Sequence, residues 1–370
     1  MPSALLAGHF GPSDAGEAAT LGAFERALPE WTPVLASSDP QATHAAHGCG
    51  TVDARRPQAM VRAAARTDAT VFAGWSIGAG EAHSRPGLRT AVAVVSTAKL
   101  RRRPTALLGI SARPGGGTWE RRLSRRLLDL ADLVVLRDEL SARHLEGAGV
   151  SGPFRIGTDP AWLDLQDRRG EGRPRHRPRQ VVVQIEARSC PPRLVARLGD
   201  ALGKLASGDV EVELQPWRDA SSDGADHGLV AELAGRIEEP VRVLRPPAEL
   251  GTGERSPAGA GAVVALGSHA LISAAAAGVP AVAVACEPAT AGLARRLDQP
   301  LVDADAEADE IAAAISAALV HEPPRPNAVA GQIATAEEGF RLLRLLLSEG
   351  RSEEETGELT GLPLRRGPER

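Results

Sequence analysis

Short runs of apolar residues recur along the chain, and most of them end on glycine, proline or a polar residue. The clearest lies over residues 262–296, AVVALGSHALISAAAAGVPAVAVACEPATAGLARR. Residues 263–266 are continuously apolar, as a strand buried on both faces requires. Gly267 and Ser268 break the run, and His269 opens an alanine-rich helix over 269–277. Gly278 and Pro280 stop that helix, glycine by tolerating a left-handed cap and proline by being unable to continue. Residues 281–285 form the next buried strand, followed by Cys286, Glu287 and Pro288. The same alternation predicts strands over 3–7, 33–37, 70–73, 105–110, 132–136, 180–185, 210–214 and 241–244. Helices are expected over 18–28, 57–66, 88–99, 119–131, 191–206, 229–237, 307–319 and 328–348, with another that follows Arg137–Ser141 and runs through Glu146.

Strands alternating with helices are the signature of a parallel α/β sheet. Residues 167–179 (DRRGEGRPRHRPR) lack apolar periodicity and read as a linker. The expected organisation is an N-terminal α/β domain over 1–166, a C-terminal one over 180–327, a helix over 328–348 and a disordered tail over 349–370. Both domains are doubly wound, that is, Rossmann-like. In such sheets ligands bind beyond the carboxyl ends of the strands. His269 would therefore face a crevice beside the N–H groups of a helix terminus, which favour anions.

Composition narrows the function. The chain has 370 residues, 43% hydrophobic and 24% charged, with a net charge of −4. That is globular, with no global drive toward nucleic acid or anionic membrane. It has no Tyr and only 3% aromatics, so base-stacking platforms are scarce. Three scattered cysteines suit a reducing compartment. There is no convincing signal peptide and no apolar run of membrane-spanning length, so a cytoplasmic protein without an integral membrane segment is expected. His44, His47 and Cys49 match no standard metal spacing, and no metal is expected.

The candidate chemistry lies in the loops after the strands. Asp14, Gly16 and Glu17 follow the first strand, Gly74 the third, and Arg113 the fourth. Arg137 stands just past the fifth, in Arg137-Asp138-Glu139-Leu140-Ser141, where a guanidinium can grip a carboxylate or phosphate. Asp159 precedes Pro160, and Arg188 follows the first strand of the second domain. Glu287 lies beyond the 281–285 strand.

These segments resemble those of the polysaccharide pyruvyl transferase family. The matching residues are Gly267-Ser268-His269-Ala270-Leu271, Gly278-Val279-Pro280, Glu287-Pro288-Ala289, the Arg137–Ser141 run, Asp159-Pro160-Ala161 and the loop bearing Asp14, Gly16 and Glu17. Two positions depart from the pattern: Gly267 replaces an arginine and Ala289 a lysine. The resemblance implies two facing Rossmann-like domains arranged as in the B-type glycosyltransferases. It also implies transfer of a pyruvyl group from phosphoenolpyruvate to a sugar as a ketal, in cell-surface polysaccharide biosynthesis. His269 would be the general acid, with Arg137, Arg113 and Arg188 holding the donor. Asp14, Glu17, Asp159, Gly74, Ser268 and Glu287 would complete the substrate site. By the same resemblance phosphoenolpyruvate would be the donor substrate and a glycan the acceptor, with no cofactor, and a homo-oligomer is among the expectations. Arg295 and Arg296 are candidates to replace the lost cations. The departures leave two alternatives open: a glycosyltransferase-like enzyme using a nucleotide sugar, and a non-catalytic binding member.

Overall fold

The computed structural model describes residues 1–8, 10–11, 14–78, 86–113, 117–150, 152–165, 177–187, 190–218, 224–247, 257–349 and 364–365. The chain forms two compact units. The first contains 1–12, 17–164 and 332–370, the second 13–16 and 165–331.

In the first unit the order is β1 (Ser3–Ala7), α1 (Ala15–Ala27), β2 (Thr32–Ser37), α2 (Pro40–His47), β3 (Gly50–Asp53), α3 (Pro57–Arg66) and β4 (Ala69–Ala73). Then come the short β5 (Ser76–Ile77), α4 (Leu88–Leu100), β6 (Thr105–Ala112), α5 (Thr118–Leu130), β7 (Leu133–Leu136), α6 (Glu139–Gly147), β8 (Phe154–Ile156) and a 3-10 turn, Pro160–Leu165. The sheet runs β8-β7-β6-β4-β1-β2-β3, with every pair parallel. Strands β1, β4, β6 and β7 are almost wholly buried, which is why they read as unbroken apolar runs. Helix α5 turns Leu127 and Leu128 inward and leaves Arg121, Arg122 and Arg126 exposed, as its periodicity predicts.

Helix α2 and strand β3 are not apparent from the pattern. Only Thr43 of α2 is fully buried, and β3 is a half-exposed edge strand. Asp39 caps α2 by accepting from the N–H of Ala42, and Pro40 fits its first turn. Two boundaries are also corrected at the far end. Residues 177–179, read as linker, begin strand β9 (Arg177–Ile185). Within the tail read as disordered, β15 (Leu364–Arg365) pairs antiparallel with β8; the rest of the tail lies outside the described residues.

Gly109 shows how backbone freedom is used. It sits in β6 at φ +63°, where the register with β7 slips by a residue, forming a bulge. A Cβ there would run into the Pro160 ring and the Thr158 carbonyl. Gly109→Ala is expected to cost at least about 2 kcal/mol, from left-handed strain and overpacking together. Urea unfolding should show a lower midpoint at unchanged slope.

The second unit contains β9, α7 (Pro192–Ala206), β10 (Glu211–Pro216), α8 (Ala225–Ala234), β11 (Arg242–Val243), β12 (Ala260–Ala265), α9 (Ser268–Ala277), β13 (Ala281–Ala285), α10 (Pro288–Arg296), β14 (Leu301–Asp303) and α11 (Ala308–Leu319). Its parallel sheet runs β11-β10-β9-β12-β13-β14. Val181, Val183, Leu214, Val264 and Val282 meet Leu198, Leu202, Ile311 and Ile315 in one core. The final helix, α12 (Pro326–Glu349), starts in this unit and passes into the first. There Gln332 meets Thr158, and the Arg344 guanidinium donates to the Ala27 carbonyl at 2.7 Å.

Candidate active site

In the second unit the strand order brings the ends of β9, β10, β12 and β13 side by side. Each delivers its next residues to one place: Glu186 after β9, Trp217 and Arg218 after β10, Gly267–His269 after β12, and Glu287 after β13. Asp14 and Gly16, at the start of α1, belong to the same unit.

His269 lies in the first turn of α9, whose N-cap is Gly267. Its ring stacks on Trp217, with centroids 6.0 Å apart and planes at 15°. The Trp217 indole N–H donates to Asp14 Oδ1 at 3.2 Å, and the same oxygen accepts from the Gly16 N–H at 2.9 Å. A Cβ on Gly16 would overlap the His269 imidazole. Glycine is thus needed there so that the start of α1 can approach the ring.

A buried ion pair holds the loop after β10. Asp226 receives two hydrogen bonds from the Arg218 guanidinium, at 3.0 and 3.1 Å. It also accepts from the backbone N–H groups of Arg218 and Ala187. One carboxylate therefore ties the ends of β9 and β10 to α8. Alongside, Gln184 donates to Gln215 at 2.8 Å across the two strands.

Glu186 is the group that sequence reasoning missed. Burial, then the neighbouring charge of Glu287, pushes its carboxyl up to about 7; Asp14 adds to the rise, while His269 and Arg218 oppose it. The folded state thus holds this proton more tightly than the unfolded chain does. From about pH 4.5 to about 7 the unfolded carboxyl ionises first, so this group's contribution to stability falls as pH rises and is level above that window. Glu186→Gln should remove a penalty on the order of 1–3 kcal/mol at pH 8 and none at pH 4. Paired denaturation curves at the two pH values check this. The signal available in the sequence was position: Glu186 is the first residue past a parallel strand, as is Trp217 past β10. Arg188, the candidate expected after β9, lies outside the described residues.

The remaining candidates divide between the units. Ser268 and Glu287 are in the second, each partly exposed, Ser268 at the first position of α9 and Glu287 at the residue that precedes the first turn of α10. Arg295 and Arg296 lie exposed in the last turn of α10. That is about 12 Å along the axis from Glu287, so they do not restore charge beside it. In the first unit, Arg137 donates through Nε to the Gly109 carbonyl and through Nη2 to the Gly74 carbonyl. Its Nη1 lies 3.4 Å from Asp159 Oδ2. Its carboxylate partner is therefore Asp159. Asp138 instead caps α6, accepting from the Ser141 N–H at 2.7 Å. Gly74 takes φ +62° to present its carbonyl. Arg113 follows β6, its N–H donating to Ile77, and Glu17 is partly buried in the first turn of α1. Among the described residues, no group of three or more His, Cys, Asp or Glu is placed to hold a metal. His44 donates to the Cys49 carbonyl, and His47 reaches the Gly11 carbonyl.

Comparison with known proteins settles the lineage. The family model of polysaccharide pyruvyl transferase matches residues 36–288, more than half of the chain. The chain belongs to the polysaccharide pyruvyl transferase family. It is thus a member of a transferase family, and the match spans both the Arg137 loop and the His269 loop. No curated protein sequence matches it. Among solved structures it resembles S. aureus MnaA with UDP (TM-score 0.62, 10% identity, 95% of this chain and 97% of that one). It also resembles Anabaena HepE with UDP-glucose (0.58, 14%, 95% and 99%). A third likeness is to the Methanocaldococcus jannaschii UDP-GlcNAc 2-epimerase (0.57, 12%, 94% and 99%). These likenesses show the fold, with two Rossmann-like units in one chain. Among the described residues, no helix is long and apolar enough to cross a membrane.

Proposed function

We propose that this protein transfers a pyruvyl group from phosphoenolpyruvate to two hydroxyls of a glycan, with His269 as the acid that starts the reaction. The observation that carries the reading is the seat of His269: it stands at the family's histidine position, in the first turn of α9, gripped between Trp217 and Gly16. The donor's enol phosphate is inert toward the sugar until its vinyl carbon gains a proton. The π electrons take that proton from His269, leaving an oxocarbenium carbon. A sugar hydroxyl adds there and loses its own proton. Phosphate then departs with the electron pair of its C–O bond, and a second hydroxyl closes the ketal, its proton leaving with phosphate. Imidazole suits the first step because it exchanges protons near neutral pH. The scheme uses no cofactor and no nucleic acid.

A second reading rests on Gly267. The family has arginine there, but here the Glu186 carboxyl fills the space a side chain would need. Without that cation, the cleft would suit a donor whose anionic groups bind elsewhere, such as a nucleotide sugar. Phosphate release from phosphoenolpyruvate over a panel of glycosides separates the two. Release that depends on acceptor supports pyruvyl transfer. Silence on every acceptor, with UDP-sugar turnover in its place, supports the second reading.

A further inference from the structure

We propose that Glu186 is the proton partner of His269, a residue that acts through the histidine, and that Gly267 is glycine to make room for its carboxyl. This rests on the reading of His269 as the acid of the site. Strands β9 and β12 are neighbours in register, with Gln184 opposite Ala265, so positions 186 and 267 emerge side by side. Any Cβ on residue 267 would collide with Glu186 Oε2. Where the family pattern has a cation, this chain therefore has the Glu186 carboxyl in the space the side chain would take.

The surrounding groups make the carboxyl suited to sharing a proton. Four charged or titratable groups act on it electrostatically: Glu287 at the start of α10, Asp14 at the start of α1, Arg218 in the loop after β10, and His269 on α9. Arg218 is spent on Asp226, so it does not neutralise Glu186 alone. The two nearby thiols carry no charge near neutrality: burial pushes Cys190 up to about 11, and Cys286 still higher. The two groups with protons to exchange near neutral pH are thus Glu186 and His269. In the reaction, His269 gives its proton to the vinyl carbon and regains one from the Glu186 carboxyl. The proton lost by the adding sugar hydroxyl returns to the pair, which ends as it began.

Trp217, stacked on His269, reports on the pair without any substrate. Its emission, isolated by difference against Trp217→Phe, is followed from pH 5 to 9, with circular dichroism confirming the fold. The wild type should show a transition near neutral pH that is lost in His269→Gln. In Glu186→Gln the midpoint should fall by about one pH unit, the size expected when a facing carboxylate is removed. Glu186→Asp should recover part of that shift. Gly267→Ala, which displaces the carboxyl, should move the midpoint the same way and stands in if Glu186→Gln does not fold. A midpoint unmoved in these variants, or a transition that survives His269→Gln, overturns the proposal. A shifted midpoint in a protein that never turns over phosphoenolpyruvate keeps the pair and sinks only the donor.

Discussion

His269→Ala is expected to abolish acceptor-dependent phosphate release, lowering its rate by about 10²–10⁴-fold, the usual contribution of a positioned acid. Folding should survive, because the histidine is partly exposed at the first turn of α9 and alanine favours helix. The lost stack on Trp217 is worth about 1 kcal/mol. A thermal melt within a few degrees of the wild type, beside an inactive enzyme, separates chemistry from stability. His269→Gln preserves bulk against Trp217 and Gly16 but cannot deliver a proton, and should be equally inactive.

The largest effect on stability is expected at Asp226. Its side chain is 1% exposed and that of Arg218 6%, so the pair is shielded from water. Asp226→Ala leaves a buried guanidinium and two backbone N–H groups without their acceptor. Breaking one side of a buried pair costs about 3–5 kcal/mol, since the charge left behind is neither solvated nor paired. At about 2–4 °C per kcal/mol for a domain of this size, the melting temperature should fall by about 10 °C. The exposed pair Arg179–Asp209 provides the contrast, at 70% and 89% exposure. Arg179→Ala should change stability by no more than about 0.5 kcal/mol, because water screens the pair and long side chains lose entropy in forming it. Urea denaturation of both variants tests the difference.

The strands most legible in the sequence are those buried on both faces. Residues 281–285 are β13 to the residue, because a continuous apolar run bounded by Pro280 and Cys286 has one reading. Edge elements such as β3 carry no such signal. The site was legible where one segment held both scaffold and chemistry, as with His269 on α9. It was not legible where sheet order decides proximity. Glu186 and Trp217 are brought to the end of the sheet that carries the His269 loop because β9 lies beside β12 and β10 beside β9, despite the many residues between them, and no local pattern announces that. Arg137 shows the same from the other side. Its motif suggested ligand binding, yet its partners come from three separate places in the chain: Gly74 after β4, Gly109 at the bulge in β6, and Asp159 after β8. The exchange of a cation for glycine at 267 was visible in the sequence, but the Glu186 carboxyl that occupies the space beside it was not.

The central claim is that a proton reaches the donor's vinyl carbon here and that the product is a pyruvate ketal. It is tested most directly by running the reaction in D₂O with phosphoenolpyruvate and a glycoside panel, and reading the product by mass spectrometry and proton NMR. The account predicts a glycoside carrying one pyruvate ketal whose methyl group is CH₂D, formed in step with phosphate and absent with His269→Ala. Phosphate released without a ketal, or no ketal on any acceptor, would contradict it.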